Sequence, residues 1–184
     1  SVAATDPALA SQVMRALHTE VFRPYLSEDL VGVEVGGAVK NVIAIAAGVV
    51  DGLGFGASAR ASLITRGLVE MARFGVALGA DPTTFMGLAG VGDLVLTASD
   101  DQSRNRRFGL ALGRGAAAAE ALASVGDTVE GASTAEAVAV RAGALGVEMP
   151  ITAEICRLVH GEATPGDAVR ELLARELAVE NPLS

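Results

Sequence analysis

The run Val42 to Val50 carries no charge, and it is headed by Gly36-Gly37-Ala38-Val39-Lys40-Asn41. A stretch this apolar is a core helix, and that helix begins with an ammonium group. Burying an ammonium costs several kcal/mol unless it is paired or neutralised. A lysine held under that constraint can donate or accept a proton, because desolvation or neighbouring positive charge lowers its pKa. The alternative puts Lys40 near the helix end, with its stem on apolar surface and its head in water. Taken alone, the stretch favours that alternative; the other segments argue for the first reading.

The core has to be built from small aliphatic side chains. Half of the 184 residues are apolar, yet aromatics make up only 3%. Alanine, valine, leucine and isoleucine without aromatic filler suit closely packed helices. The 22 glycines fall mostly at expected helix junctions. A formal net charge of -8 argues against a nucleic-acid partner, since phosphate backbones require a basic face. It leaves room for a small anion in a local positive pocket. Cys156 is the single cysteine, which excludes an internal disulfide framework and agrees with a reducing compartment. No secretory signal opens the chain, and the longest uncharged apolar run is far short of the ~20 residues that span a bilayer. The expectation is a soluble, cytoplasmic protein.

Two textures follow one another. Residues 1–35 read as mixed. Asp6-Pro7 is a helix start, with Asp6 as N-cap and Pro7 in the first turn, and the helix runs to about His18. Val21 to Tyr25 and Val31 to Val35 alternate like short strands about a Ser27-Glu28-Asp29 turn. Two such strands do not make a stable sheet, so this part reads as the trailing edge of something larger. From Gly36 onward the pattern is helical, over 37–51, 57–79, 82–88, 91–98, 103–113, 115–124, 133–145, 152–160 and 165–178. Asp81-Pro82 and Thr164-Pro165 are start signals, Ser133-Thr134-Ala135-Glu136 matches a capping box, and Gly146 and Gly161 are stop signals. In 57–79, Leu63, Gly67, Val69, Met71, Phe74 and Leu78 form a stripe. Arg60, Arg66, Glu70 and Arg73 face elsewhere, and Arg66 and Glu70, four apart, can pair on the surface.

Few segments carry chemistry. The glycines of Asp51-Gly52-Leu53-Gly54-Phe55-Gly56 follow a helix rather than a buried strand, so they read as a tight helix–helix turn and not as a dinucleotide loop. Gly90-Val91-Gly92-Asp93-Leu94-Val95-Leu96-Thr97 puts a carboxylate and a hydroxyl on one helix face. Asp93 is then either an N-cap or a carboxylate that meets a substrate hydroxyl or orients a lysine. Gln102-Ser103-Arg104-Asn105-Arg106-Arg107 is the dense basic cluster of an acidic chain. With Ser103 as N-cap, Arg104 and Asn105 lie in a first helical turn, where backbone N–H groups attract anions and an arginine can grip phosphate. Glu130, between Val129 and Gly131, reads by default as surface decoration. His18, His160 and Cys156 form no recognisable metal-ligand pattern.

Taken in order, Val-Gly-Val-Glu-Val-Gly-Gly-Ala-Val-Lys-Asn (31–41), Gly-Leu-Gly-Phe-Gly (52–56), Leu-Ile-Thr-Arg-Gly (63–67), Gly-Val-Gly-Asp-Leu (90–94) and Gln-Ser-Arg-Asn-Arg-Arg-Phe-Gly (102–109) closely resemble bacterial-type NAD(P)-dependent glycerol-3-phosphate dehydrogenase. Val-Glu-Gly (129–131) and Val-Glu-Met-Pro-Ile (147–151) continue the match. The resemblance implies an all-helical domain like the C-terminal domain of 6-phosphogluconate dehydrogenase, after a short α/β remnant of a Rossmann domain. It implies reversible hydride transfer between dihydroxyacetone phosphate and sn-glycerol 3-phosphate, in phospholipid synthesis. Lys40 becomes the general acid/base, and Lys40, Asp93, Thr97, Ser103, Arg104 and Asn105 the substrate site. Arg104 and Glu130 would touch NAD or NADP. The resemblance also implies a homodimer; charge and side-chain pattern give no nucleic-acid partner and no metal.

No Rossmann fingerprint occurs here, so residues 1–35 read as the end of a first domain and 36–184 as the helical one, in a C-terminal fragment expected to be inactive alone. Two other readings stay open: the helical domain of a related hydroxy-acid dehydrogenase, and a non-enzymatic helical dimerisation module.

Overall fold

In the computed structural model, which describes residues 1–126 and 128–174, the chain is a helical assembly built around one buried helix. The order is β1 (Val2–Ala3), α1 (Pro7–Leu17), β2 (Leu26–Ser27), α2 (Leu30–Gly52), α3 (Ala57–Ala77), a 3₁₀ turn (Pro82–Met86), a π-helical turn (Leu88–Gly92), α4 (Asp93–Ser99), α5 (Arg104–Gly113), α6 (Ala118–Val125), α7 (Glu130–Leu145), α8 (Pro150–Val159) and α9 (Pro165–Ala174). The expected helix over 82–88 is thus split at Gly87 into 3₁₀ and π turns. The last part of the helix expected over 165–178 lies outside the described residues.

Helix α2 is long and apolar enough to cross a membrane, but 72% of its most apolar stretch is buried inside the protein. It forms the axis of the core, and α3, α4, α5, α7 and α8 pack around it. Its most extensive contact is with α5, and glycines make that contact possible. A methyl at Gly48 or Gly109 would collide with the carbonyl of Arg106 or Ile45 across the crossing, and Gly52 and Gly113 face each other where α2 ends. Backbone therefore meets backbone, which is how a core almost without aromatics reaches high density. Phe85 and Phe108, the largest fully buried side chains, fill places the small residues leave. Gly75 on α3 makes room for the Phe85 ring.

One side chain in α3 points the opposite way from the sequence expectation. Glu70 does not pair with Arg66 on the surface but is 4% exposed. It accepts hydrogen bonds from Ile151 N at 2.6 Å, Thr152 N at 3.3 Å and Thr152 Oγ1 at 3.4 Å. The first turn of α8 has no cap from its own sequence, so its orphan N–H groups are satisfied by a carboxyl group from another helix. Burial drives the Glu70 carboxyl up from 4.5 to about 7; the N–H groups of Ile151 and Thr152, Arg73 and the Thr152 hydroxyl pull the other way.

The N-terminal part differs from the expected pair of strands. Val31 to Val35 are the opening of α2, because Asp29 caps it by accepting from Gly32 N at 2.8 Å. Gly32, Val35, Gly36 and Val39 then point inward at helical spacing, a pattern that the β-branched alternation Val31, Val33, Val35 disguised. Val21 to Tyr25 is irregular: Thr19 N and the Phe22 carbonyl close a turn at 2.9 Å, and Pro24 has no N–H for a ladder. The strands present are β1 and β2, which pair in parallel with α1 as the crossover between them. Asp6 caps α1 by accepting from Ala8 N at 2.8 Å. The expected boundary at 35/36 falls inside the unbroken α2. The capping box at Ser133 is also absent. Helix α7 begins at Glu130, and the Ser133 hydroxyl donates back to the Glu130 carbonyl. The starts at Asp81 and Thr164 and the stops at Gly146 and Gly161, both with positive φ, are as expected.

Two outcomes follow from this packing. Gly109→Ala forces α2 and α5 apart and should destabilise the protein by about 1–3 kcal/mol. Gly143→Ala, on the open face of α7, should stabilise it by about 0.5–1 kcal/mol; urea unfolding of both variants distinguishes a packing glycine from an incidental one. The second outcome concerns Glu70. The folded protein keeps this proton up to about pH 7, whereas a free glutamate carboxyl loses it near 4.5. Stability therefore falls as pH rises between those values and levels off above them. Glu70→Gln should remove up to about 3 kcal/mol of the loss seen between pH 5 and pH 8. Parallel stability–pH curves for the two proteins would show that Glu70 titrates normally.

Candidate active site

Lys40 stands in the middle of α2, not near its end, which removes the water-reaching alternative in its simple form. Its Nζ donates to Asp93 Oδ2, and the two side chains keep 21% and 34% of their surface exposed. This is a half-buried pair open to a small ligand. Asp93 reaches Lys40 because Gly36, one turn earlier on α2, lets the Ala89 carbonyl approach the helix where a methyl would block it. The π turn Leu88–Gly92 then delivers Asp93 as the first residue of α4, with Leu94 and Ala98 buried. Wide turns of this kind cluster at functional sites. Gly92, not Asp93, occupies the N-cap position, so the Asp93 carboxylate is available to the lysine.

Beside Lys40 lies an amide chain. Asn105 Nδ2 donates to Asn41 Oδ1 at 3.0 Å, and Asn105 Oδ1 accepts from Gly131 N at 2.8 Å. Asn41 Nδ2 faces the Gly37 carbonyl at 3.3 Å and Glu130 Oε2 at 3.4 Å. Both asparagines are buried. Gly131 can join because a methyl there would stand 2.6 Å from the Asn41 carbonyl. The first turns of α5 and α7 are thereby locked to α2 one residue beyond Lys40. Buried amides are stabilising only when fully paired, and no described buried side-chain polar atom lacks a partner.

Arg104 and Glu130 form the rim of this cluster, 3.5 Å apart, with 38% and 59% of their side-chain surfaces exposed. Glu130, read by default as decoration, thus stands next to Asn41 and Arg104. The basic cluster divides. Arg104 turns to the rim, Arg106 turns inward to Asp51, and Arg107 faces solvent. Ser103 caps α5 as expected, accepting from Arg106 N at 3.2 Å. The Thr97 hydroxyl donates to the Asp93 carbonyl at 2.6 Å and lies 3.4 Å from Asp93 Oδ1.

The site therefore offers an ammonium oriented by a carboxylate, two polar hydroxyls, a guanidinium at a helix start and a second carboxylate. That set can exchange a proton with a carbinol oxygen while an anionic group rests near α5. Asn41 and Gly131 were not singled out individually in the sequence. Asn41 was visible only as a polar residue adjoining Lys40 in an apolar run, and Gly131 carried no signal of its partnership. Cys156 and His160 lie on α8 and its end, and contact each other at 3.6 Å. Burial, Glu136 and Glu162 push the Cys156 thiol up, the wrong direction for a nucleophile. Among the described residues no group of acidic, histidine and cysteine side chains could hold a metal ion.

A family model described as the NAD-dependent glycerol-3-phosphate dehydrogenase C-terminus matches residues 29–170. Glycerol-3-phosphate dehydrogenase [NAD(P)+] of Halorhodospira halophila is 60% identical over 95% of this chain and 53% of its own length. The protein of the same name from Methylibium petroleiphilum is 54% identical over 97% of this chain and 54% of its own. The crystal structure of glycerol-3-phosphate dehydrogenase from Coxiella burnetii superposes with a TM-score of 0.91 at 46% identity, over 94% of this chain and 53% of that one. The chain thus spans about half the length of the curated relatives it matches. The chain belongs to the NAD-dependent glycerol-3-phosphate dehydrogenase family and has the helical fold of that family's C-terminal domain.

Proposed function

We propose that this chain is the substrate-holding half of a glycerol-3-phosphate dehydrogenase [NAD(P)+], interconverting dihydroxyacetone phosphate and sn-glycerol 3-phosphate for glycerophospholipid synthesis. The Lys40–Asp93 pair, set beside a hydrogen-bonded asparagine chain, is the observation that carries this reading.

Lys40 is the general acid/base. As the ketone carbon is reduced, negative charge gathers on its oxygen. The Lys40 ammonium stabilises that charge and passes a proton to it, leaving a neutral amine and an alcohol. In the reverse direction the amine removes the carbinol proton. Asp93 fixes the direction of the Nζ–H groups, and Thr97 beside it contributes a hydroxyl to the substrate's polar end. Arg104, Asn105 and Ser103, at the start of α5, receive the substrate phosphate. Binding energy from that remote anion holds the carbonyl against Lys40.

When bound, a nicotinamide cofactor, NAD or NADP, would supply the hydride. The rim guanidinium of Arg104 and carboxylate of Glu130, both partly exposed, fit the phosphate, hydroxyl and amide groups of such a nucleotide. They would hold it from the helical side only, and its main binding unit is a Rossmann domain. The β1–α1–β2 unit, a parallel pair with a helical crossover, fits the trailing edge of that domain, with the junction placed just before Asp29. By the family resemblance, we infer a cytoplasmic homodimer.

In the full-length protein, Lys40→Ala should lower kcat by about 10²–10⁴-fold while circular dichroism and the thermal transition stay close to wild type. Turnover of dihydroxyacetone phosphate at the wild-type rate would remove Lys40 from the chemistry.

A further inference from the structure

Arg106 is buried, is charged, and takes no part in the chemistry above. Its side chain is 9% exposed, and its guanidinium donates in three directions. Nε reaches the Ala98 carbonyl at the end of α4 at 3.2 Å. Nη2 reaches Asp51 Oδ2 at the end of α2 at 2.5 Å, and Nη1 reaches Asp101 in the loop between α4 and α5. The same Asp51 oxygen accepts from Arg60 of α3 at 2.6 Å. One planar group thus ties the connection from α4 to α5 onto the junction of α2 and α3. The loop's internal bonds, Gln102 N to Asp100 Oδ1 at 2.8 Å and Ser103 N to the Asp100 carbonyl at 3.1 Å, set its shape. Arg106 sets its place.

We propose that Arg106 is a positioning residue for the substrate's anionic end: by fixing Ala98 and Asp101 against Asp51, it places Ser103, Arg104 and Asn105 where a phosphate must meet them. The proposal rests on the reading that these residues receive the phosphate. The argument is geometric. Arg104 and Asn105 directly precede Arg106 in the first turn of α5, so a shift of the loop moves both. Only a guanidinium has rigid donors in three directions; lysine keeps the charge and loses the fork. Asp51, largely buried, would keep Arg60 and lose its second cationic partner.

The test compares kcat/KM for dihydroxyacetone phosphate with that for unphosphorylated dihydroxyacetone in the full-length enzyme, for wild type, Arg106→Lys and Asp101→Asn. Displacement of a positioning group by ~1 Å is enough for changes up to 10²-fold. Arg106→Lys should therefore reduce the preference for the phosphorylated ketone by roughly 10-fold, leaving the slow reaction of dihydroxyacetone unchanged. Asp101, whose side chain is 81% exposed, tolerates substitution without loss of the fold. Asp101→Asn should shift the same ratio in the same direction by about 2–3-fold, and it decides the matter if Arg106→Lys does not fold. A lower thermal transition with an unchanged ratio would make Arg106 a stability residue only and overturn the proposal. A wild-type enzyme with no preference for the phosphorylated ketone would instead refute the phosphate assignment itself, and the proposal with it.

Discussion

The approach of α5 to α2, backbone against backbone, is the constraint on which the site depends. Gly48, Gly52, Gly109 and Gly113 bring backbone against backbone where the two helices cross, so their axes come close enough for Asn41 and Asn105 to hydrogen-bond directly at 3.0 Å. A chain with larger residues at this crossing would separate them, and neither amide would find its partner. The same economy recurs along α2. Gly36 admits the strand of backbone that leads to Asp93, and Gly131 admits the start of α7. Three segments remote in sequence converge on one turn of one helix because glycine clears the way for each.

That geometry resolves the electrostatic difficulty of a lysine in an apolar helix. Burying a lone charge is prohibitive, but a half-buried ion pair with access to water is not. Lys40 and Asp93 keep partial exposure, while the buried polar groups beside them are neutral amides whose buried atoms each have a hydrogen-bond partner. The polar groups buried deepest are structural: the Glu70 carboxyl, held uncharged up to about pH 7, caps α8, and the charged Arg106 joins Asp51, Ala98 and Asp101. Two kinds of charge are thus kept apart, a half-exposed pair at Lys40 and Asp93 and fixed ties in the interior.

Much of the helical layout is legible from local signals. Asp6-Pro7, Asp81-Pro82, Ser103 and Thr164-Pro165 each encode a helix start within three or four residues, and each start is where those residues put it. The failures come from information that is not local. Val31 to Val35 alternates like a strand, and only the cap supplied by Asp29, together with the inward spacing of Gly32, Val35, Gly36 and Val39, makes it helical. Glu70 pairs with Arg66 on a helical wheel, whereas its true partners, Ile151 and Thr152, lie about eighty residues later and leave no trace near it. Within the site, Lys40, Asp93 and Arg104 were each individually ambiguous. Their order along the chain pointed to the family, but the bonds from Asn41 to Asn105 and on to Gly131 needed the fold.

The most direct measurement is a crystal structure of the full-length protein with sn-glycerol 3-phosphate bound. The carbinol oxygen should lie about 2.6–3.2 Å from Lys40 Nζ, with the phosphate at the start of α5 against Arg104 and Asn105. A phosphate seated on Lys40 itself, with the carbinol oxygen beyond its reach, would contradict this arrangement.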